Sequence, residues 1–169
     1  GGAGNDTFLL SIGSATMNGG AGVDTLSFAD ATAGASVRLD WGSANVGNGA
    51  IASAQVRGVE NIVGSAHDDF LGGDAGDNVI TGGPGVDTLV GFAGNDTLID
   101  TQGASELRGQ EGNDSLVGGD GPSRLYGDQG HDTVHAGTGD STIFGLTGDD
   151  VLWAGGGNDF LYGDQDNDT

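Results

Sequence analysis

A nine-residue period runs through this sequence and constrains its fold more than any other feature. From Gly64 to Tyr162, eleven consecutive units place an aliphatic residue in the eighth position and aspartate, asparagine or serine in the sixth. The eighth-position residues are Leu71, Ile80, Leu89, Leu98, Leu107, Leu116, Leu125, Val134, Ile143, Leu152 and Leu161. A unit this short buries its aliphatic side chain only by stacking on neighbouring units. The period therefore predicts a solenoid.

The unit at residues 82–90, GGPGVDTLV, is typical of the array. It resembles the calcium-binding nonapeptide of the RTX (haemolysin-type) family of secreted bacterial proteins. The resemblance covers residues 1–27 and 64–169, about four fifths of the chain. It implies an all-β fold, a right-handed parallel β-roll or β-helix solenoid with calcium-binding glycine-rich turns. Six residues of each unit form the turn, the last three form a short strand, and successive strands fall on alternate sides.

The acidic composition is consistent with a protein that binds cations. The chain has 25 acidic residues against four arginines and no lysine, for a formal net charge of −21. A compact fold with this charge repels itself unless cations bind. Nucleic acid is an unfavourable partner because the chain has no basic stripe. Without cysteine, metal is the available substitute for disulfides. No apolar run approaches the roughly 20 residues of a membrane span.

Three blocks divide the chain. Residues 1–27 are a short block of repeats, residues 28–63 lack the motif, and residues 64–169 hold eleven full units and a partial one. The middle segment has the length of four units, so the period is regained in phase. We expect β-helix-like coils without calcium there, and a loosely packed loop is the alternative. Because both ends of the chain lie inside repeats, we expect it to be part of a longer protein.

The resemblance also implies which atoms bind calcium. Calcium takes six to eight oxygen ligands, more than one turn offers, and every second turn stacks on the same side at strand spacing. In the family, the first turn of a pair gives its first and third carbonyls, the second turn gives its second and fourth, and both sixth-place aspartates complete the shell. The implied carbonyl ligands are those of Gly91, Ala93, Gly109, Gln110, Glu111, Gly112, Gly127, Asp128, Gln129, Gly130, Gly145, Leu146, Thr147, Gly148, Asp164 and Asp166.

Sixth-place residues predict that the two edges of the roll differ. One series, the aspartate edge, reads Asn78, Asp96, Asp114, Asp132, Asp150 and Asp168. The other, the serine edge, reads Asp69, Asp87, Ser105, Ser123, Ser141 and Asp159. Two aspartates face each other in the pairs 96/114, 114/132, 132/150, 150/168 and 69/87, and in Asp6 and Asp24 of the first block.

These pairs predict six full calcium sites. The hybrid pairs 78/96, 87/105 and 141/159 keep one aspartate and are predicted to bind weakly, which gives a range of six to nine ions. The pairs 105/123 and 123/141 are predicted to hold no calcium. The alternative interpretation of each aspartate is a solvated turn residue that bonds its own backbone. Bare carboxylates stacked at strand spacing would repel one another, which favours metal binding.

Outward-facing ninth-place residues form an aromatic stripe. It comprises Arg108, Tyr126, Phe144 and Tyr162 on one sheet, with His135 and Trp153 on the other. Such a stripe is consistent with a docking surface for polysaccharide or a neighbouring protein domain, and equally with the preference of aromatic residues for strands. Glu106 and Arg124 are predicted to pair across adjacent strands.

The sequence gives little support for catalysis. The three histidines lie in turn or outward positions, and the Gly-x-Ser-x-Gly turn of serine hydrolases is absent. Two functions stay open. The first is a calcium-stiffened structural segment of a large adhesin or surface-layer-like protein. The second is an accessory module of a secreted enzyme such as a lipase, protease or alginate epimerase. Either implies type I secretion to the exterior or surface of a Gram-negative-type bacterium.

Overall fold

The computed structural model describes residues 1–11, 15–47 and 51–169, and the described strands form two long sheets. Sheet I contains β3 (Thr16–Asn18), β6 (Ala35–Arg38), β7 (Ser43–Val46), β8 (Ile51–Arg57), β10 (Phe70–Gly72), β12 (Thr88–Ala93), β14 (Glu106–Glu111), β16 (Arg124–Gln129), β18 (Thr142–Thr147) and β20 (Phe160–Gln165). Sheet II contains β2 (Thr7–Leu9), β5 (Thr25–Ser27), β9 (Asn61–Val63), β11 (Val79–Thr81), β13 (Thr97–Ile99), β15 (Ser115–Val117), β17 (Thr133–His135) and β19 (Val151–Trp153). A short parallel pair joins β1 (Gly2–Ala3) to β4 (Gly20–Ala21).

The register of both sheets in the repeat block is two repeat units. In sheet I Leu89 is paired with Leu107, and in sheet II Leu98 is paired with Leu116, all in parallel ladders. Successive units therefore alternate between the two sheets, which confirms the predicted all-β solenoid. A parallel strand needs a crossover connection, and here each crossover is the opposite strand with its two glycine-rich turns.

The core is a double row of eighth-place side chains between the sheets. Their members from Leu71 to Leu125, together with Val134 and Ile143, are fully buried. Burying one leucine contributes about 1.5–3 kcal/mol, so a core this thin depends on every position being filled. The seventh and ninth places flank each buried residue and point outward, as strand alternation requires.

The middle segment differs from the predicted coils. Strand β6 stacks in parallel on β10, but β6, β7 and β8 then form an antiparallel meander. Sheet II takes only β9 from the segment, since Thr25 of β5 pairs directly with Asn61 of β9. The segment thus contributes parallel strands to both sheets, including β6 and β9, and adds the antiparallel strand β7, which the predicted coils did not include. Its described part is well packed, because Phe28, Val37 and Ala44 are fully buried. Residues 12–14, inside the first block, and 48–50, inside this segment, lie outside the described residues.

The predicted stripe forms stacked rings. Tyr126 and Phe144 stack with centroids 5.0 Å apart, Phe144 and Tyr162 repeat that spacing, and His135 stacks on Trp153 at 5.3 Å.

Arg108 extends the stripe by lying 4.3 Å from the ring centre of Tyr126. It also binds Glu106 at 2.8 Å. Glu106 and Arg124 are partners across adjacent strands, as predicted, but the ion pair of Glu106 is with Arg108. Glu106 and Arg108 lie two residues apart on one strand and share its outer face.

In the described part of the chain, no helix has the length and apolar character to cross a membrane.

Leu116→Ala is expected to destabilise the calcium-loaded protein by about 2–5 kcal/mol, since it opens a cavity in a core that has no second layer. The measurement is urea unfolding followed by circular dichroism. Val86→Ala is the matched control, because Val86 is 56% exposed. Equal urea midpoints for the two variants would contradict the described core.

Candidate metal centre

The turns of the aspartate edge are shaped by their second and fourth places. The second-place residues adopt positive φ although they are not glycine, with Gln110 at 81° and Leu146 at 81°. This left-handed conformation costs roughly 1–2 kcal/mol for a residue with a Cβ. At the fourth place, a Cβ on Gly112 would overlap the carbonyl oxygen of Gly94 in the turn below. The turn backbones therefore approach one another closely at defined positions.

A side-chain ladder joins the sixth places of the aspartate edge. Oδ1 of each aspartate accepts the backbone N–H of the sixth-place residue two units earlier. Asp114 accepts from Asp96 at 2.7 Å, Asp132 from Asp114 at 2.7 Å, and Asp150 from Asp132 at 2.8 Å. Within residues 64–169 the ladder runs from Asn78, whose N–H donates to Asp96, to Asp168. The predicted stacking of this edge is thus the observed one.

The second oxygen of these aspartates has no partner among the described residues. Oδ2 is buried and forms no hydrogen bond in Asp24, Asp87, Asp96, Asp114, Asp132 and Asp150. Leaving a charged oxygen buried without a partner is costly, and a bound cation removes that cost. Oxygen is also the ligand atom that calcium prefers. The residues present therefore fit a calcium site.

Burial perturbs these carboxyl groups strongly. It raises the pKa of Asp96 to about 7 and that of Asp132 to about 7, while the N–H bond each accepts acts in the opposite direction. The pKa of Asp114 is raised to about 6 for the same reason. On the serine edge the pKa of Asp87 rises to about 7, first through burial and then through the charge of Asp69.

Carbonyl groups must supply the other oxygens of a calcium shell. Among the described residues no three acidic, histidine or cysteine side chains converge on one point. The third-place carbonyls of Glu111, Gln129 and Thr147 each accept one N–H from the fourth place of the turn below, at 2.9 Å. A carbonyl oxygen has a second lone pair, so these predicted ligands keep an acceptor site.

The serine edge keeps the ladder but loses the second oxygen. Ser105 Oγ accepts the N–H of Asp87 at 2.9 Å, and Ser123 Oγ accepts that of Ser105 at 3.3 Å. Ser141 continues the series, and its own N–H is bound by Asp159 at 2.7 Å. The serine hydroxyl therefore joins successive turns as aspartate does, but it brings no negative charge.

Asp69 and Asn78, the first sixth-place residues of the two edges in the 64–169 block, form hydrogen bonds that the later members lack. Asp69 accepts the N–H groups of Ser65 and Ala35, both at 2.6 Å, and the Ser65 hydroxyl at 2.8 Å. Asn78 accepts the N–H of Asp74 and donates its amide to the carbonyl of Glu60 at 2.9 Å. Both polar ends of these two side chains thus have protein partners, whereas Oδ2 of Asp96, Asp114, Asp132 and Asp150 has none among the described residues.

Glu60 is a ladder member that the repeat pattern did not reveal. Asp6 donates its N–H to Asp24 Oδ1 at 2.7 Å, and Asp24 donates to Glu60 Oε2 at 2.8 Å. Glu60 lies four units after Asp24, immediately before β9, so the aspartate edge runs through the middle segment without a break. The available signal was a carboxylate directly preceding a strand in the phase of the repeat.

A second ladder, formed by fifth-place residues, was not predicted from the sequence. In this ladder the backbone N–H of the later turn donates to the fifth-place side chain of the earlier turn. Asn113 N–H binds Asn95 Oδ1, His131 N–H binds Asn113 Oδ1, and Asp149 N–H binds His131 Nδ1, all at 2.8–2.9 Å. His131 therefore joins two turns as an acceptor and is not a free solvated side chain. Recurrent asparagine, aspartate and histidine before the sixth place is the sequence signal for this ladder.

With the turns and their buried carboxylates described, the comparison with protein families identifies the repeat. The model of the RTX calcium-binding nonapeptide repeat, which spans four copies, matches residues 1–26, 57–89, 90–125, 108–143 and 135–169. These matches cover more than half of the chain, which therefore belongs to this family. The repeat is a structural calcium-binding element and not a catalytic domain. The comparison with curated proteins finds no match.

Gly109→Ala is expected to destabilise the protein by about 1–3 kcal/mol through overpacking. The new Cβ would overlap Oδ2 of Asp114 and lie 2.7 Å from the carbonyl oxygen of Gly127. Gly76→Ala is the control, since its Cβ would meet only Asp74 Oδ1, at 3.5 Å. Thermal unfolding in calcium measures both. Equal unfolding temperatures for the two variants would contradict the close approach of Asp114 to Gly109.

The raised carboxyl pKa values predict opposite pH dependence with and without calcium. An acid whose folded pKa exceeds its unfolded value of 3.8 stabilises the fold at low pH, and this stability is lost as the pH rises through the folded values of about 6 to 7. The β structure of calcium-stripped protein, followed by circular dichroism, should therefore be greater near pH 4 than near pH 7, where the stripped chain is expected to be unfolded. With excess calcium the urea midpoint should rise over the same interval, because calcium binds the ionised form. Stripped protein that gains β structure toward pH 7 would contradict the burial of these groups.

Proposed function

We propose that this chain is a calcium-dependent structural segment of a large secreted or cell-surface bacterial protein of adhesin or surface-layer type. The observation that carries the proposal is the row of buried aspartate Oδ2 atoms without hydrogen-bond partners. They recur in every second unit from Asp96 to Asp150 along one edge. A divalent cation between successive turns would neutralise two such carboxylates at once.

Calcium would neutralise the buried carboxylates of the folded chain and would bridge its successive turns. The residues that would hold it on the aspartate edge are the sixth-place aspartates from Asp96 to Asp168, with the turn carbonyls of the intervening units. Asp6 and Asp24 form the corresponding pair in the first block, and Asp69 and Asp87 the pair on the serine edge. Six ions at these pairs, and up to nine with the hybrid pairs, are the proposed content.

Folding outside the cell follows from the charge of the chain. The formal net charge is −21, and the carboxylates that folding buries repel one another without a cation. Binding that occurs only in the folded state adds its free energy to stability. Calcium sites of extracellular modules typically bind at roughly 0.1–1 mM, so folding would wait for the extracellular supply. This is compatible with export of an unfolded chain by a type I system.

The continuity of the aspartate edge supports a rod more than a set of separate modules. Its ladder extends from Asp6 through Glu60 to Asp168, and sheet II is continuous from β2 to β19. Each turn contacts mainly its neighbours, so stiffness along the axis depends on every joint. Calcium at the joints would stiffen the whole length together.

Calcium titration of metal-free protein tests this function. We expect a cooperative gain of β structure by far-ultraviolet circular dichroism and six to nine ions by calorimetry. Magnesium at equal concentration is the control, because it demands octahedral geometry and dehydrates reluctantly, and it should not fold the chain. A chain already folded in chelator, or one that binds only one or two ions, would overturn the proposal.

A further inference from the structure

The turn at residues 100–105 on the serine edge departs from its neighbours at the first place. In the 64–169 block this place is otherwise glycine or alanine, but here it is Asp100. The side chain of Asp100 is 1% exposed. The same turn carries Ser105 in the sixth place, where a carboxylate is missing. One turn therefore combines an extra carboxylate in one place with a lost carboxylate in another.

The geometry of the other turns explains how these two changes are related. A Cβ built on Gly91 would overlap Oδ2 of its own sixth-place aspartate, Asp96. The first place of a turn thus points into the space that the second oxygen of the sixth-place side chain occupies. Ser105 has no second oxygen, and its Oγ is engaged by the N–H of Asp87 at 2.9 Å. That space is open to the side chain of Asp100.

Like a ladder aspartate, Asp100 has one oxygen that accepts a backbone N–H and one buried oxygen without a partner, although its N–H donor lies in its own turn. Its Oδ1 accepts the backbone N–H of Gln102 at 3.3 Å. Its Oδ2 is buried and has no hydrogen-bond partner among the described residues. Asp87, one turn below, has a buried Oδ2 in the same condition. The two described ion pairs involve Arg38 and Arg108, so neither carboxylate has an arginine partner there.

The electrostatics of Asp87 place Asp100 among the carboxylates near it. The charge of Asp100 contributes to raising the pKa of Asp87, after burial and the charge of Asp69. Burial raises the pKa of Asp100 itself, while the nearby Ser105 side chain and the turn backbone act against it and the charge of Asp120 adds to it. Two buried carboxylates that interact in this way match the charge of one divalent cation.

We propose that Asp100 supplies from the first place the carboxylate that Ser105 lacks, and that Asp87 and Asp100 together bind one calcium ion between the turns 82–87 and 100–105. The site rests on the proposed calcium-dependent function. It converts the pair 87/105 from a weak hybrid into a full site. The serine edge then loses calcium only from residue 105 to residue 141.

The test counts calcium ions on the folded full chain by native mass spectrometry and calorimetry, with calcium alone as the added metal. Asp100→Gly removes the carboxylate and installs the residue that most other turns carry there. The double variant Asp100→Gly with Ser105→Asp returns the carboxylate to the sixth place. Asp30→Asn is the control, because Asp30 is an exposed acid outside the repeat turns.

We expect Asp100→Gly to bind one ion fewer than the parent chain, and the double variant and Asp30→Asn to bind the parent number. An unchanged count in Asp100→Gly would overturn the site. If Asp100→Gly does not fold, the double variant decides. Recovery of folding and of the parent ion count would show that a carboxylate at position 105 replaces the one at position 100, and no recovery would refute the site. A parent chain that binds no calcium would instead refute the proposed function.

Discussion

The hydrogen bond from a turn backbone to the sixth-place side chain of the next turn is the interaction on which this structure depends. It recurs at 2.7–3.0 Å along the aspartate edge and aligns the turns so that the leucine rows meet between the sheets. Aspartate forms this bond with one oxygen and leaves the other buried without a partner. The group that joins the turns therefore also creates the requirement for a cation.

Much of this architecture is predictable from the period together with the resemblance to the RTX repeat. The period predicts a solenoid and the buried positions of Leu107 and Leu116. The resemblance implies that successive strands fall in opposite sheets, and a register of two units with Asp114 aligned on Asp132 follows. These features depend on local spacing, which a sequence contains directly. The family match extends over the same residues.

Features that depend on space or distant pairing were not predictable in the same way. The alternation at residues 37–41 indicates a strand but not its direction, which the antiparallel pairing of β6 with β7 decides. Arg108 binds Glu106 and also lies over Tyr126, an arrangement that the pattern leaves open. The importance of Asp100 emerges only once the turn geometry shows that Ser105 leaves room beside it.

On the aspartate edge the fifth-place and sixth-place ladders run in opposite directions, so a turn there both donates to and accepts from each neighbouring turn. A newly added turn therefore gains the same kinds of bond whether it joins above or below those already formed. In a linear array of this kind, ordering can nucleate at any repeat and propagate. The growth of the roll is then symmetric with respect to chain direction, and either end can serve as the template.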